Sequence, residues 1–133
     1  MRALAPLARS GVLVMGSGSI THNLRRVFAG GLRAEAEVPE IAESAAFRTW
    51  FRERGDAADW ETLFDYRRQA PHAVDMHPTD EHLLPWYVAA GAGGREHGAL
   101  RLHASQTFGS LGMDAYAFGV AAARLREALA TPG

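Results

Sequence analysis

The feature that most constrains this chain is an apolar run that leads into a glycine turn and then into a helix. The run is GVLVM at residues 11–15, the turn is GSGS at 16–19, and ITHNLRRVF follows at 20–28. A continuous apolar run of this length is typical of a strand that is buried on both faces. Thr21 or Asn23 is placed to cap the helix. This order predicts an α/β domain, whose functional groups collect at the carboxyl ends of strands.

Helical patterns outnumber strand patterns in the rest of the chain. Apolar spacing predicts helices over 41–54 and 58–69, and a third helix that begins near Thr79 and ends at Gly91. Partial alternation predicts a strand within 99–108. Two or three strands are too few for a sheet that is covered on both faces. The chain therefore reads as part of a larger domain.

Composition excludes several kinds of function. The chain has 133 residues, of which 47% are hydrophobic and 22% charged, so we expect a packed core and a single domain over residues 1–133. The absence of cysteine excludes disulfides, thiolate zinc sites and cysteine nucleophiles. A formal charge of −1 gives no basic footprint for nucleic acid. Because the sequence has neither a secretory h-region nor an apolar run of about 20 residues, we expect a cytoplasmic protein without membrane contact.

His22 follows the glycine turn directly and has two interpretations. As a functional group it is a general base or a metal ligand, which a turn with little side-chain bulk presents at the end of a strand. As a structural group it is a polar residue that bonds to local backbone at the start of a helix. Spacing alone favours the structural interpretation.

The motif HPTDEH at 77–82 places a carboxylate beside an imidazole. His77 and His82 are five positions apart, which differs from the i, i+4 spacing of a helical zinc pair. The neighbours Glu81 and His82 offer the oxygen and nitrogen ligands that an open iron site requires. The alternative is a carboxylate that caps a helix and complements its dipole. Residue chemistry alone again favours the structural alternative.

The turn GSGS permits a further hypothesis, a phosphate-binding α/β protein. Backbone N–H groups at such a turn can hold an anion. The turn matches neither GxGxxG nor GxxxxGK[ST], and glycines that let a side chain approach a ligand explain it equally well.

Three ordered segments together carry a family resemblance. GSGSITHNL at 16–24, HPTDEHLLPWYVAAGA at 77–92 and FGSLGMDAYAFG at 108–119 resemble the DODA-type extradiol ring-cleavage dioxygenases of the class III, subunit-B-like superfamily. Residues 50–73 are similar to the helical insert of that family. The resemblance covers nearly the whole chain and implies the C-terminal part of an α/β domain, with helices packed around a mixed or parallel sheet.

The resemblance also implies a non-haem metal, usually Fe(II), although Zn(II) can occupy the same site. The family has two metal-binding histidines in GHGSP-like and SAHW-like segments, and neither string occurs in this sequence. Of the residues present, Glu81 or His82 would complete the metal set. The motif does not say which of the two is the ligand, although a facial triad of two histidines and one carboxylate favours Glu81.

The implied reaction opens a catechol ring beside its hydroxyls with dioxygen. His22 would serve as the catalytic base, with metal ligation as its alternative role. Ser19, Asn23 and His77 are expected in the substrate pocket, although the resemblance gives His77 no specific role.

The missing histidine segments predict that this chain alone has negligible activity. We expect the C-terminal portion of an extradiol dioxygenase domain, active only when another chain supplies the N-terminal half. The alternative is a non-catalytic remnant that binds such a partner through an unpaired sheet edge.

Overall fold

The computed structural model describes residues 2–29 and 35–132, in which helices surround two small sheets. A short 3-10 helix, Arg2–Leu4, comes first. The α-helices that follow are α1 (Ala5–Arg9), α2 (Leu24–Phe28), α3 (Ala42–Asp56), α4 (Trp60–Phe64), α5 (Tyr66–Gln69), α6 (Ala73–Met76), α7 (Leu84–Gly93) and α8 (Gly119–Ala130).

The strands form two antiparallel pairs near the C-terminal end of the sequence. They are β1 (Leu100–His103) with β4 (Ala115–Ala117), and β2 (Gln106–Thr107) with β3 (Leu111–Gly112). The predicted class, an α/β arrangement with helices packed around a sheet, is confirmed. All strand pairing in the described residues is antiparallel.

The core is an aromatic cluster between helices α3 and α7. Phe47 and Phe51 lie one helical turn apart on α3 and are fully buried. The ring of Phe51 meets Trp86 edge-on at 4.6 Å, and Trp86 meets Tyr87 edge-on at 5.2 Å. Such edge-to-face pairs add about 0.5–1.5 kcal/mol each beyond the area that they bury. The helical stripe predicted over 41–54 is therefore confirmed as the main core element.

The strand predicted at residues 11–15, here called the apolar run, is wrong for the described structure. Residues 12–19 have no regular secondary structure, and Leu13 and Met15 are 83% and 79% exposed. A strand needs a neighbouring edge to bond its N–H and C=O groups. In the part of the chain that the structure describes, no strand pairs with the apolar run. Val12 N donates back to Leu7 O at the end of α1, and the next residue whose N–H bonds to backbone is Ser19.

The other predicted elements are present with different bounds. The helix predicted over 58–69 is divided into α4 and α5, and Asp59 caps α4 through the backbone N–H of Thr62. Of the two predicted caps for α2, Asn23 serves, and its side chain accepts from Arg26 N. Pro85 occupies the first turn of α7, where its missing N–H costs nothing. Within the described residues, no helix has both the length and the apolar character needed to cross a bilayer.

Candidate functional site

Two backbone hydrogen bonds join residues 19–23, here called the anchored segment, to the loop that carries HPTDEH. The N–H of His22 donates to Met76 O at 2.9 Å, and the N–H of Ser19 donates to His82 O at 2.8 Å. Residues 22 and 82 are sixty positions apart in the sequence, yet these bonds hold their backbones side by side. The family resemblance assigned the GSGSITHNL and HPTDEH motifs to one site, and the structure shows that they are adjacent.

The imidazoles of His22 and His82 are stacked in direct contact. Their ring centroids are 3.5 Å apart and the ring planes differ by 24°. Glu81 lies beside them, with its Oε1 3.7 Å from His82 Nε2. The structure thus assembles the predicted trio of His22, Glu81 and His82 at one place, at the partly exposed end of the anchored segment.

Electrostatics favour a neutral His22 at neutral pH. Partial burial lowers the pKa of His22, and the neighbouring His82 lowers it further. The pKa of Glu81 is also lowered, first by the hydrogen bond that Thr79 donates to its Oε1 at 2.7 Å. At neutral pH the site therefore holds an imidazole that can accept a proton next to an ionised carboxylate.

His77 is placed differently from its two motif partners. It is fully buried, and its Nε2 lies 2.7 Å from the carbonyl oxygen of Ile20. Burial lowers the pKa of His77 to about 4, so the ring is neutral at physiological pH. The ring lies beneath the anchored segment, out of contact with solvent.

The other two residues expected in the substrate pocket have side chains that already bond to backbone. The Oγ of Ser19 lies 2.7 Å from Thr21 O and 2.9 Å from Gly112 O. The Nδ2 of Asn23 donates to Asp75 O at 2.6 Å, and its Oδ1 accepts from Arg26 N. Ser19 still lines the groove described below, whereas Asn23 is buried and holds the start of α2.

The glycines of GSGS have a packing explanation. A Cβ at Gly16 would lie 2.1 Å from Pro85 O, and a Cβ at Gly18 would lie 2.2 Å from His82 O. Both contacts are far below any that a real side chain makes, so only glycine lets the backbone cross the start of α7 this closely. The close approach to His82 thus accounts for this part of the motif.

A buried ion-pair cluster beneath the anchored segment is absent from the sequence predictions. Arg48 on α3 binds Asp114 through two hydrogen bonds of 2.5 and 2.9 Å, and its Nη1 binds Glu40 at 2.6 Å. These bonds raise the pKa of Arg48, the Asp114 bonds most. Arg48 also packs against Gly112, whose backbone bridges to Thr21. The sequence indicated the burial of Arg48 in one way, since position 48 falls beside Phe47 on the buried stripe of α3.

A groove of about 650 Å³ borders the site. Residues 12–20 form one wall, α7 forms another, and residues 114–118 face them. His82 and Trp86 are among the lining residues, so the groove reaches one member of the stacked histidine pair. Mostly apolar walls of this kind suit a flat aromatic ligand or an extended apolar segment of polypeptide.

The donor set of the described residues fits a metal ion only in part. The imidazoles of His22 and His82 and the carboxylate of Glu81 are ligand types that iron and zinc accept. Within residues 2–29 and 35–132, however, no group of three or more His, Asp or Glu side chains is arranged to hold a metal ion. A complete site would need ligands in addition to these.

Comparison with protein families gives a match over most of the chain. The family described as "Catalytic LigB subunit of aromatic ring-opening dioxygenase" matches residues 2–119. The match includes the anchored segment, the HPTDEH loop and the strands that face them. The motifs that carried the resemblance thus lie inside the matched region.

Curated relatives agree with the family match. The chain is 34% identical over 119 residues to the 4,5-DOPA dioxygenase extradiol of Beta vulgaris, and 35% identical over 121 residues to that of Portulaca grandiflora. Each match covers 88% of this chain but 41% of the relative. The chain thus spans about two fifths of the length of these relatives, and it matches their C-terminal part.

A solved structure shares the fold. The crystal structure of an uncharacterised protein from Escherichia coli K12 superposes with a TM-score of 0.67 at 23% sequence identity. The match covers 86% of this chain and 46% of that chain. This likeness supports the arrangement of helices and small sheets described above.

Proposed function

Because this chain belongs to the family of catalytic LigB subunits of aromatic ring-opening dioxygenases, we propose that it carries the C-terminal part of an extradiol dioxygenase site for catechol-type aromatics. The observation that carries the proposal is the contact of His22 with His82 beside Glu81. The sequence separates His22 widely from the other two, and the fold brings the three together beside a groove that His82 lines and that is large enough for an aromatic ring. The names of the two relatives support a DOPA-like catechol as the substrate class.

His22 is proposed as the group that moves protons. A neutral imidazole accepts a proton from a catechol hydroxyl and returns it later in the reaction. The lowered pKa of His22 keeps it in this proton-accepting form at neutral pH. Its ring stacks on that of His82, and this contact restricts the plane of the imidazole.

Glu81 and His82 are proposed as the metal-binding side of the site. Fe(II) is the proposed metal, with Zn(II) as the alternative, since both accept imidazole nitrogen and carboxylate oxygen. A metal bound by these residues would supply Lewis-acid and electron-transfer chemistry to a catechol and dioxygen. Because the described residues fit a metal only in part, the remaining ligands are proposed to come from polypeptide outside these 133 residues.

The apolar run supports this dependence on further polypeptide. Leu13 and Met15 are apolar but exposed, and their stretch of backbone has no neighbouring strand in the described chain. Exposed apolar surface next to an unpaired backbone edge is what an added strand covers. We propose that the occupant is the N-terminal portion of a domain of the same family, which forms about three fifths of the matched relatives.

A reconstitution assay tests the function. The 133-residue chain is loaded anaerobically with Fe(II), alone or mixed with the N-terminal portion of the Beta vulgaris relative, and supplied with DOPA and air. Dioxygen uptake and the absorbance of the ring-opened product are measured. We expect negligible turnover by the chain alone and measurable turnover by the mixture.

Two variants give the assay its controls. His22→Ala should abolish turnover of the mixture. His103→Ala should leave it unchanged, since the His103 side chain is exposed and its ring bonds only to Ser105 in the described structure. Rapid ring opening by the chain alone would contradict the need for a partner. No turnover in any mixture, or equal turnover by His22→Ala, would contradict the proposed site.

A further inference from the structure

The ring of His77 joins the two halves of the candidate site from inside the protein. Its Nε2 bonds to the carbonyl of Ile20, two residues before His22. Its own backbone follows Met76, whose carbonyl accepts from the N–H of His22. His77 therefore closes a ring of contacts around the backbone that carries His22, independently of the bond between Ser19 and His82.

The hydrogen bond determines the tautomer of His77. A carbonyl oxygen can only accept, so Nε2 must carry the hydrogen and donate it to Ile20. Nδ1 is buried and has no partner among the described residues. A proton on Nδ1 would therefore be an unpaired buried donor as well as a buried charge, and both are costly.

The surroundings of the ring reinforce its neutrality. The ring centroid of Phe47 lies 5.4 Å away and that of Tyr66 lies 6.3 Å away, the latter edge-on. These aromatic neighbours fix the plane of the imidazole, and with it the direction of the Nε2–H bond. The position of Ile20 O is thus set by a rigid donor in the core rather than by a mobile surface group.

We propose that His77 is a positioning residue, a neutral imidazole whose Nε2–H holds Ile20 and thereby sets the contact between the rings of His22 and His82. This inference rests on the proposed function for its significance, because it is that site which His77 would align. It gives His77 a part other than substrate contact, since the ring is fully buried.

The tautomer is tested in the wild-type chain. With ¹⁵N-labelled histidine, long-range proton–nitrogen spectra of the 133-residue chain distinguish the two ring nitrogens. We expect His77 to show a protonated Nε2 and a bare Nδ1 at pH 7, as a single tautomer. A protonated Nδ1, a mixture of tautomers or a cationic ring at this pH would overturn the proposal.

The positioning effect is tested with two substitutions. His77→Gln keeps an N–H donor at a similar reach, whereas His77→Leu removes it. The readouts are the nuclear Overhauser contact between the His22 and His82 rings and the affinity for Zn(II), both measured on the folded fraction as judged by circular dichroism. We expect His77→Leu to lose the ring contact and at least tenfold in Zn(II) affinity, and His77→Gln to stay within about threefold of wild type.

The outcomes separate alignment from mere stability. A purely structural role would lower the folded fraction of His77→Leu but leave the ring contact and the affinity of folded molecules unchanged, and this would overturn the proposal. Equal behaviour of His77→Gln and His77→Leu would also overturn it. His103→Gln is the matched control and should change nothing. If His77→Leu does not fold, the proposal is tested by the tautomer of His77 in the wild-type chain and by the ring contact and Zn(II) affinity of His77→Gln.

Failure of the proposed function gives a different result. If the wild-type chain binds no metal and no mixture opens a catechol ring, the dioxygenase proposal fails. The ring contact and the tautomer of His77 can still be measured in that case, and they test the positioning inference by themselves.

Discussion

The apolar run and the anchored segment are separated by only three residues, yet their environments in the structure are opposite. Residues 19–23 bond to the HPTDEH loop and to β3, and Ile20 and Thr21 are buried. The apolar run has the more hydrophobic sequence, yet Leu13 and Met15 lie in solvent. The difference lies in the available partners, because a stretch of backbone is buried only where another element can satisfy its hydrogen bonds.

The two segments are therefore expected to have different functions: the anchored segment positions His22, and the apolar run binds further polypeptide. The anchored segment needs only the described residues to hold His22 against His82. The apolar run stays exposed among those residues, and we propose that it packs against further polypeptide. Local changes beneath the anchored segment should therefore affect stability, and changes in the apolar run should affect association.

The largest expected effect comes from breaking the ion-pair cluster beneath the anchored segment. Arg48→Met leaves the fully buried side chain of Asp114 without its cation. Breaking a buried pair in this way typically costs about 3–5 kcal/mol of unfolding free energy. Urea denaturation measures the loss, and hydrogen exchange should show that the amides of Ile20 and His22 lose protection while those of the apolar run do not change.

Arg52→Met is the matched control for that prediction. Arg52 lies one turn further along α3 and makes only an exposed contact of 3.7 Å with Glu53. Exposed pairs contribute about 0–1 kcal/mol, so the control should be nearly neutral. Equal losses for the two variants, or a loss below about 1 kcal/mol for Arg48→Met, would show that the cluster does not support the anchored segment.

A second prediction concerns the dependence of stability on pH, and its expected effect is smaller than that of Arg48→Met. The pKa of His77 is about 4 in the folded chain, against 6.5 for an ordinary histidine. Between these values the unfolded chain binds a proton that the folded chain does not, so the free energy of unfolding falls as the pH falls. The slope from this group is up to about 1.4 kcal/mol per pH unit. Asp80 opposes this effect, whereas His22 and His82 add to it.

Urea denaturation of wild type and His77→Gln at pH 7, 6 and 5 isolates this contribution. The difference in slope between the two proteins reports His77, because the other titrating groups are common to both. The wild type should lose stability more steeply below pH 6.5. Parallel pH profiles would show that folding does not lower the pKa of His77, contrary to what its burial in the core implies.

The sequence predicted correctly those features that depend on residues close together in the chain or on ordered motifs, and it failed where a distant partner decides the structure. Periodicity sufficed for α3 because its stripe faces a core made by nearby helices, and ordered motifs sufficed to pair His22 with Glu81 and His82. The apolar run was predicted wrongly because hydrophobicity reports a tendency to be buried, and it does not report whether a partner is present. The metal ligands, the substrate pocket and the cytoplasmic location remain predictions.

The sequence could not reveal the roles of Arg48 and His77 for a related reason. Each acts through a contact with a residue more than fifty positions away, Asp114 for one and Ile20 for the other. Hydrophobic spacing gives no information on such polar pairs. The helical stripe of α3 placed position 48 on a buried face, whereas His77 was expected in the substrate pocket, and the partners of both were determined only by the fold.

The smallest effect on stability, and the sharpest test of the contrast, is expected in the apolar run. Leu13→Lys adds a charge to a side chain that is already 83% exposed, so the free energy of unfolding should change by less than about 0.5 kcal/mol. The same charge should weaken binding of the N-terminal portion of a family domain at least tenfold, because an added strand would bury it without a counter-ion. Leu129→Lys is the control, since Leu129 is 73% exposed on α8 and is not among the residues that line the groove beside the run. Calorimetric titration measures both variants, and an equal loss of affinity for each, or none for Leu13→Lys, would show that the proposed N-terminal portion does not dock on the exposed run.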